Sequence, residues 1–247
     1  MSVRTPAARL YARHAAAADR GAWSVERDVA WGSIDRSVAL GRPDILEQLR
    51  VAALIEAFHP VNLPRLFQLA WDDVDACAVF SLEAYEGFKH FHALRLYLDA
   101  VGYEPTITDD EIVESRRTGA AAGVGPDELI ERLVEFMLSE HLASYFFRRH
   151  AEQAPEPVLR DLLSRIAADE VRHAQSASDL IEKRIRESPE VAPRVLEAAA
   201  HFHHFGEEVV SQVPVAMPGD PLAIRTFAHR IERLCGTRLV DHLKTRL

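Results

Sequence analysis

Cysteine is scarce in this chain, which has only Cys77 and Cys235 among its 247 residues, far apart and outside any Cys-x-x-Cys pair. This scarcity excludes a disulfide framework and a cysteine-ligated iron site, and it favours a reduced, cytoplasmic protein. Long hydrophobic runs are lacking as well, since none approaches the roughly 20 apolar residues that span a bilayer. The first 19 residues contain arginines but no continuous apolar core, so we expect neither a secretory signal nor a membrane partner.

Positive charge is also in short supply, because 29 lysines and arginines face 38 aspartates and glutamates and leave a net charge of −9. A protein that neutralises nucleic-acid phosphates needs a basic face, so a general nucleic-acid binder is not expected. The sequence lacks a Gly-x-Gly-x-x-Gly fingerprint, which argues against a built-in dinucleotide site. Runs of β-branched residues are scarce too, and the pattern that remains favours an all-α protein.

Glycines and prolines cluster at a few breaks, and the segments between them have the apolar spacing of helices. The predicted helices span residues 4–18, 44–58, 72–101, 126–153, 158–186, 193–213 and 221–247. Residues 23–40 are less regular, Pro60 and Pro64 interrupt the chain, and a polar connection that includes the glycine-rich segment 119–125 follows Gly102. We expect a single domain over residues 1–247, with a bundle core at about 43–186 and C-terminal helices at about 189–247.

A Glu-x-x-His motif lies in the middle of the predicted helix 158–186. Glu170 and His173 are three residues apart, so they share a helix face and can reach the same metal ion. They interrupt an apolar stripe that runs from Leu162 and Ile166 to Ala177. A glutamate in such a stripe is buried, and a buried carboxylate is costly unless it is paired or bound to metal.

The same pattern is echoed elsewhere in the sequence. Glu140 lies 30 residues before Glu170, Glu56 lies 30 residues before Glu86, and His90 follows Glu86 by one helical turn. The order Glu, Glu-plus-His, Glu, Glu-plus-His across four helices is typical of a carboxylate-bridged di-iron centre in a bundle. Oxygen and imidazole donors without thiolate suit two iron ions, or manganese, better than a structural zinc. The predicted metal ligands are Glu56, Glu86, His90, Glu140, Glu170 and His173.

The first half of this site leaves alternatives open. His90 is at position i+4 from Glu86, with Lys89 at i+3, so Glu83 could equally supply the carboxylate of that pair. His59 forms another Glu-x-x-His with Glu56 and could compete with His90. Two further features accompany the predicted ligands: Asp169 could orient a metal-bound histidine, and Pro60 removes the hydrogen bond to the carbonyl of Glu56, so that helix should kink or end there.

Three segments carry a resemblance to the ferritin-like di-iron carboxylate superfamily. Residues 166–173, Ile-Ala-Ala-Asp-Glu-Val-Arg-His, are very similar to the second Glu-x-x-His segment of soluble acyl-carrier-protein desaturases and related oxygenases. Residues 56–60 and 94–102 are more loosely similar, and the resemblance covers about residues 43–186. The i+4 histidine departs from the desaturase pattern, although rubrerythrin-like centres tolerate it. The resemblance implies a ferritin-like four-helix bundle with extra N- and C-terminal helices.

The same resemblance implies reductive activation of dioxygen by two iron ions, with the glutamates bridging or terminal and the histidines terminal. The expected protein is then a di-iron oxidoreductase, a desaturase, a hydroxylase (monooxygenase) or an N-oxygenase, acting on a small-molecule or carrier-bound acyl substrate. Because the sequence contains no electron-transfer module, an external donor such as a ferredoxin or reductase is expected, and a homodimer is compatible with this reading. Two alternatives stay open: an iron-handling ferroxidase and a metal-free helical binding scaffold.

Overall fold

The computed structural model describes residues 9–121, 128–209 and 221–244, and within these ranges every regular element is a helix. The all-α prediction is therefore confirmed. Short 3-10 turns occur at Trp31–Ser33, Pro189–Val191 and Phe205–Glu208. In chain order the α-helices are α1 (Leu10–Gly21), α2 (Val25–Asp28), α3 (Arg36–Leu40), α4 (Pro43–Glu56), α5 (His59–Leu69), α6 (Val74–Val101), α7 (Asp109–Ala121), α8 (Leu129–Gln153), α9 (Pro157–Glu187), α10 (Ala192–Ala200), α11 (Pro221–Cys235) and α12 (Leu239–Lys244).

Local capping chemistry sets the ends of the long helices. The side chain of Asp73 accepts hydrogen bonds from two backbone N–H groups in the first turn of α6, and Gly102 ends that helix in the left-handed conformation at φ 74°. The carboxylate of Glu156 caps α9 in the same way. Helix α4 ends at Glu56, as the proline at position 60 predicts, and the chain restarts as α5 three residues later.

The polar connection after Gly102, in which no helix was predicted, contains the helix α7. Its apolar stripe is weak, and the helix is stabilised at its N-terminus instead. Thr108 Oγ1 accepts a hydrogen bond from the backbone N–H of Glu111 at 3.1 Å, and three acidic residues occupy the first turn. Arg50 then ties α7 to α4 through two bonds to the Glu111 carboxylate, at 2.6 and 2.7 Å.

The C-terminal helices are shorter than predicted. The predicted helix 193–213 ends as α10 at Ala200, and the predicted helix 221–247 is divided at Gly236, whose φ of 67° stops α11. Pro64, predicted as an interruption, lies inside α5. Residues 1–8, 122–127, 210–220 and 245–247 lie outside the described residues, and with them the predicted starts at 4 and 126 and the end at 213. The single-domain organisation stays a prediction.

Four helices, α4, α6, α8 and α9, supply most of the core of the molecule. Helices α8 and α9 pack together along most of their length, α4 packs on α6, and α6 packs on α9. Helices α5, α10 and α11 contact this set from the side, and α1 lies against α6 and α9. Among the described helices none is both long enough and apolar enough to cross a membrane.

Two apolar cores occupy the two ends of the long helices. The first core gathers the C-terminal half of α6 with the N-terminal half of α9, and includes Leu94, Leu98 and Leu162. The second core gathers the opposite halves of the same helices with α5, α10 and α11, and includes Phe80 and Leu180. Between the two cores each long helix contributes buried charged residues instead of apolar ones. A polar layer therefore crosses the middle of these helices, with one apolar core on each side of it.

Candidate metal centre

The polar layer contains carboxylate and imidazole side chains that are almost fully removed from solvent. Each of them is less than 9% exposed, a state in which an unpaired charge is strongly disfavoured. Helix α4 contributes its last residue, α6 two residues two turns apart, α8 one residue and α9 one residue from each of two consecutive turns. The six residues are Glu56, Glu83, His90, Glu140, Glu170 and His173.

These residues form two groups that share one member. In the four-residue group, Glu83, Glu140, Glu170 and His173 each place a donor atom within 4.8 Å of the others, and in the three-residue group Glu56, His90 and Glu170 do the same. Glu170 divides its oxygens between the groups: Oε1 lies 2.8 Å from His90 Nδ1, and Oε2 lies 2.9 Å from His173 Nδ1. A carboxylate placed in this way can bridge two cations.

Both histidines turn Nδ1 toward the centre and hold Nε2 against a carboxylate outside it. His90 Nε2 lies 3.0 Å from Asp169 Oδ2, and His173 Nε2 lies 2.9 Å from Glu86 Oε2. When Nε2 donates to these outer carboxylates, the lone pair of Nδ1 is directed inward and is available to a metal. Asp169 thus orients the ring of His90, and Glu86 orients the ring of His173.

The structure places Glu83, and not Glu86, in a donor group. Glu83 and His90 are seven residues apart, which is close to two full turns, so they differ by only about 20° around α6. Glu86 is rotated away from that line and meets His173 from outside. The sequence favoured Glu86 for its i+4 spacing to His90 and left Glu83 as the alternative, and it is Glu83 that lies in the donor group. The spacing of seven between Glu83 and His90 is the sequence signal for this placement.

Cationic side chains hold the two outer carboxylates. Arg172 Nη2 bonds Glu86 Oε1 at 2.7 Å and Asp169 Oδ1 at 2.8 Å, and Lys89 Nζ lies 2.9 Å from Asp169 Oδ2. The indole N–H of Trp23 donates to the same Asp169 oxygen at 2.8 Å. Burial opposes ionisation of Asp169, but the hydrogen bond from His90 and the charge of Lys89 hold its pKa below the usual value.

Trp23 reaches this network from the irregular segment before α2, and sequence reasoning missed it. Its indole ring lies parallel to the imidazole of His90, with ring centroids 6.4 Å apart, and Lys89 Nζ lies 4.4 Å from the indole centroid. A tryptophan in a segment without helical periodicity carries no spacing signal. The Trp23 side chain is only 7% exposed, so it closes one side of the polar layer.

His59 borders both groups but belongs to neither. Its Nδ1 donates to the backbone carbonyl of Glu56 at 2.9 Å, the acceptor that Pro60 leaves without its helical partner. This bond leaves Nε2 unprotonated, 3.6 Å from Glu83 Oε1. Burial lowers the pKa of His59 to about 4, so the ring is neutral near pH 7. The ring fits against Gly87, where a Cβ atom would lie only 2.6 Å from it.

The charges of the layer are balanced by protons when no cation is present. Burial, followed by repulsion from Glu170, raises the pKa of Glu56 and Glu140 well above the usual value, and burial raises that of Glu83 to about 7. Burial also disfavours a charged His90, but the charge of Glu170, the hydrogen bond to Asp169 and the charge of Glu56 together outweigh it and raise the His90 pKa to about 9. Metal binding must therefore displace protons from the layer.

The donor set fits two cations. Five buried donor atoms of the two groups have no hydrogen-bond partner among the described residues, and an unsatisfied buried polar atom costs about 1–3 kcal/mol. His90 Nδ1 and Glu170 Oε1 are close together yet not aligned for a hydrogen bond, as expected for two ligands that face one ion. The five atoms are Glu56 Oε2, Glu83 Oε1, His90 Nδ1, Glu140 Oε1 and Glu170 Oε1.

No protein-family model matches this chain, and no curated protein shows significant sequence similarity to it. Function is therefore inferred from the geometry and chemistry of the layer itself.

Proposed function

We propose that this protein is a ferritin-like, carboxylate-bridged dinuclear iron oxidoreductase that uses dioxygen to oxidise an organic substrate. The observation that carries the proposal is the placement of Glu170, whose two oxygens face two separate donor groups. A buried centre with donors from four packed helices, here α4, α6, α8 and α9, is the arrangement of four-helix di-iron proteins. The organic reaction is desaturation, hydroxylation or N-oxygenation.

The chain would hold the two metals with separate terminal ligands and one shared carboxylate. Glu56 and His90 would bind one ion, Glu83, Glu140 and His173 the other, and Glu170 both. This oxygen- and imidazole-rich set without thiolate suits iron, with manganese as the alternative. When bound, the metals supply the one-electron and dioxygen chemistry that side chains cannot perform.

The protein's own part is to orient, to exclude water and to hold protons. Asp169 and Glu86 fix the two histidine rings, as is usual for metal-bound histidines. The two apolar cores seal the layer, which protects a reactive centre from bulk water. Glu83, with a pKa of about 7, can gain or lose a proton near neutral pH as the charge of the layer changes.

The partners follow from what the chain does not carry. Since the sequence contains no cysteine-ligated iron site and no dinucleotide fingerprint, we propose an external electron donor, a ferredoxin or a reductase. The substrate class is a small organic molecule or a carrier-bound acyl chain, and the second reactant is dioxygen.

Metal analysis of the purified protein tests the proposal. After anaerobic loading with Fe(II), we expect about two iron ions per chain, as in other two-metal sites. Glu170→Gln should lower this to less than half an equivalent, whereas Glu152→Gln, on the exposed end of α8, should leave it unchanged. Dioxygen consumption by the loaded protein should need an added reductant for more than one turnover.

Other outcomes would assign the protein to another class. Wild-type protein that binds less than half an equivalent of iron or manganese would contradict the proposal and favour a metal-free scaffold. Rapid oxidation of many Fe(II) equivalents into a mineral, by a cage-sized assembly and without organic substrate, would identify a ferroxidase instead.

A further inference from the structure

A second cavity lies outside the metal centre, where α8, α9 and α11 meet. Its volume is about 260 Å³, slightly below the roughly 300–1,000 Å³ of small-molecule pockets. One helical stripe from each of α8 and α11 faces it, with residues at the i, i+3, i+4, i+7 spacing of a single face, and α9 closes it with Val171 and Ala174. The stripes are His141, Ser144, Tyr145 and Arg148 on α8, and Thr226, His229, Arg230 and Arg233 on α11.

The cavity is cationic in a chain that is acidic overall. Arg148, Arg230 and Arg233 line it, while no carboxylate does so within the part of the chain that the structure describes. Elsewhere arginines meet acids closely, as Arg194 meets Glu131 at 2.7 Å. None of the three cavity arginines has such an ion pair with a described residue.

Two of the three arginines are held by neutral groups instead. The guanidinium of Arg148 lies 4.3 Å from the ring centroid of Tyr145, and Arg230 Nη1 donates to the carbonyl of Ala174 at 3.3 Å. Burial, followed by repulsion from Arg233, lowers the pKa of Arg230. These contacts fix the guanidinium groups without neutralising their charge.

Among the described residues, the carboxylate that acts on Arg230 already has partners of its own. Asp179 attracts Arg230 from a distance, but its own carboxylate lies 3.3 Å from Arg13 and 3.2 Å from His14. It also accepts a hydrogen bond from Gln175 at 2.7 Å. The positive charge of the cavity therefore has no counter-charge of its own among the described residues.

Hydroxyl and imidazole groups form another wall of the cavity. Thr226 Oγ1 lies 2.9 Å from Tyr145 Oη and 3.2 Å from His141 Nε2. The wall thus offers hydrogen-bonding groups beside the three arginines.

We propose that this cavity binds the oxyanion group, a carboxylate or a phosphate, of a small organic molecule. Guanidinium groups match such oxyanions through paired N–H···O bonds, and partial burial strengthens these bonds. Ser144 lies one turn from Glu140 on α8, and Ala174 lies one turn from Glu170 on α9. The bound molecule would therefore sit beside the metal centre, although the binding itself does not depend on the proposed iron chemistry.

Titration calorimetry on the metal-free full chain at low ionic strength tests the proposal, with inorganic phosphate and benzoate as probes. We expect saturable binding of one equivalent of at least one probe, and the tighter probe distinguishes a phosphate from a carboxylate ligand. Arg230→Gln and Arg233→Gln should each weaken binding by roughly tenfold or more, because each removes a charge-assisted hydrogen bond. Arg233 is exposed, so its replacement leaves the fold intact even if that of Arg230 does not.

Two matched controls separate a built cavity from general charge. Arg149→Gln, next to Arg148 on α8, and Arg225→Gln, on the outer side of α11, remove the same charge without touching the cavity. Both should bind within about twofold of the wild type. Absence of saturable binding of either probe, or an equal loss in the control variants, would overturn the proposal. Iron loading measured on the same proteins reports separately on the metal centre.

Discussion

The two donor groups of the metal centre differ in charge and in the way their histidines are held. The four-residue group has three carboxylates, and its histidine, His173, is hydrogen-bonded to Glu86. The three-residue group has two carboxylates, and its histidine, His90, is hydrogen-bonded to Asp169. Asp169 in turn accepts hydrogen bonds from Trp23 and Lys89. The four-residue group therefore offers a metal more negative charge, whereas the three-residue group offers a histidine whose hydrogen-bond partner is itself held by two further bonds. Since more carboxylates attract a divalent cation more strongly, the four-residue group should fill first.

The largest effect should come from the residue that the groups share. Glu170→Gln keeps the side-chain volume but removes the charge that both groups use, so we expect the loss of both metals. Single substitutions elsewhere should each remove one. Stepwise anaerobic Fe(II) titration measures this directly. A Glu170→Gln protein that still binds one equivalent tightly would show that the groups are independent.

The second effect separates the groups. Glu140→Gln should remove the tighter binding step and leave one weaker site, whereas Glu56→Gln should remove the weaker step and leave the tighter one. The physical reason is that each carboxylate serves one group only. The same titration, read as two affinities, checks this. If both variants lose the same step, the assignment of donors to two groups is wrong.

The outer carboxylates should have an intermediate effect. Asp169→Asn should weaken the three-residue group and Glu86→Gln the four-residue group, each by about 10- to 100-fold in metal affinity. Lys89→Met provides the matched comparison, since Arg172 and Trp23 still bond Asp169 without it. We expect its effect to be severalfold smaller than that of Asp169→Asn. An equal effect would mean that Lys89 is the main support of Asp169.

The smallest effect concerns the stability of the metal-free protein as a function of pH. Glu83 has a pKa of about 7 in the folded chain against 4.5 in the unfolded one, so its stabilisation is complete below pH 4.5 and is lost as the pH rises through 7. His90 has a pKa of about 9 in the folded chain against 6.5 in the unfolded one, so its stabilisation is lost as the pH rises through 9. Buried histidines with a lowered pKa, such as His59, oppose this effect below pH 6.5, where the unfolded chain would protonate them. The melting temperature should therefore fall from about pH 6.5 to pH 9. Glu83→Gln should flatten the lower part of that curve, and His90→Gln the upper part.

Metal should reverse this trend, because bound cations take the place of the displaced protons. The melting temperature of the iron-loaded protein should then rise or stay level over the same range. A metal-free melting temperature that increases steadily with pH would contradict the charge balance described for the layer.

Most of the fold and part of the site could be predicted from the sequence, for identifiable reasons. Proline, glycine and capping residues mark helix ends locally, so the long helices α4, α6, α8 and α9 were found close to their true bounds. The break after Glu56 followed from Pro60 alone. Helix α7 was missed because its stability comes from caps and from the Arg50–Glu111 pair, which lie outside any apolar period.

The site shows the same division between local and distant information. Glu140, Glu170 and His173 could be selected because they stand in apolar stripes of their own helices. The choice between Glu83 and Glu86 depends on how α6 is rotated against α9, which tertiary packing decides. The contact of Trp23 with Asp169 joins residues 146 positions apart, and no spacing rule reports such a pair.

Gly87 illustrates a conflict between helix propensity and the shape of the site. A glycine inside a helix is less favourable than alanine by about 1 kcal/mol, because it loses more backbone entropy on folding. A methyl group at this position would occupy the place of the His59 ring. The residue that would make α6 intrinsically more stable is therefore the one that would expel an imidazole from the edge of the centre. At Gly87, α6 is therefore intrinsically less stable than it would be with alanine, and the absence of a side chain lets the His59 ring pack against its backbone.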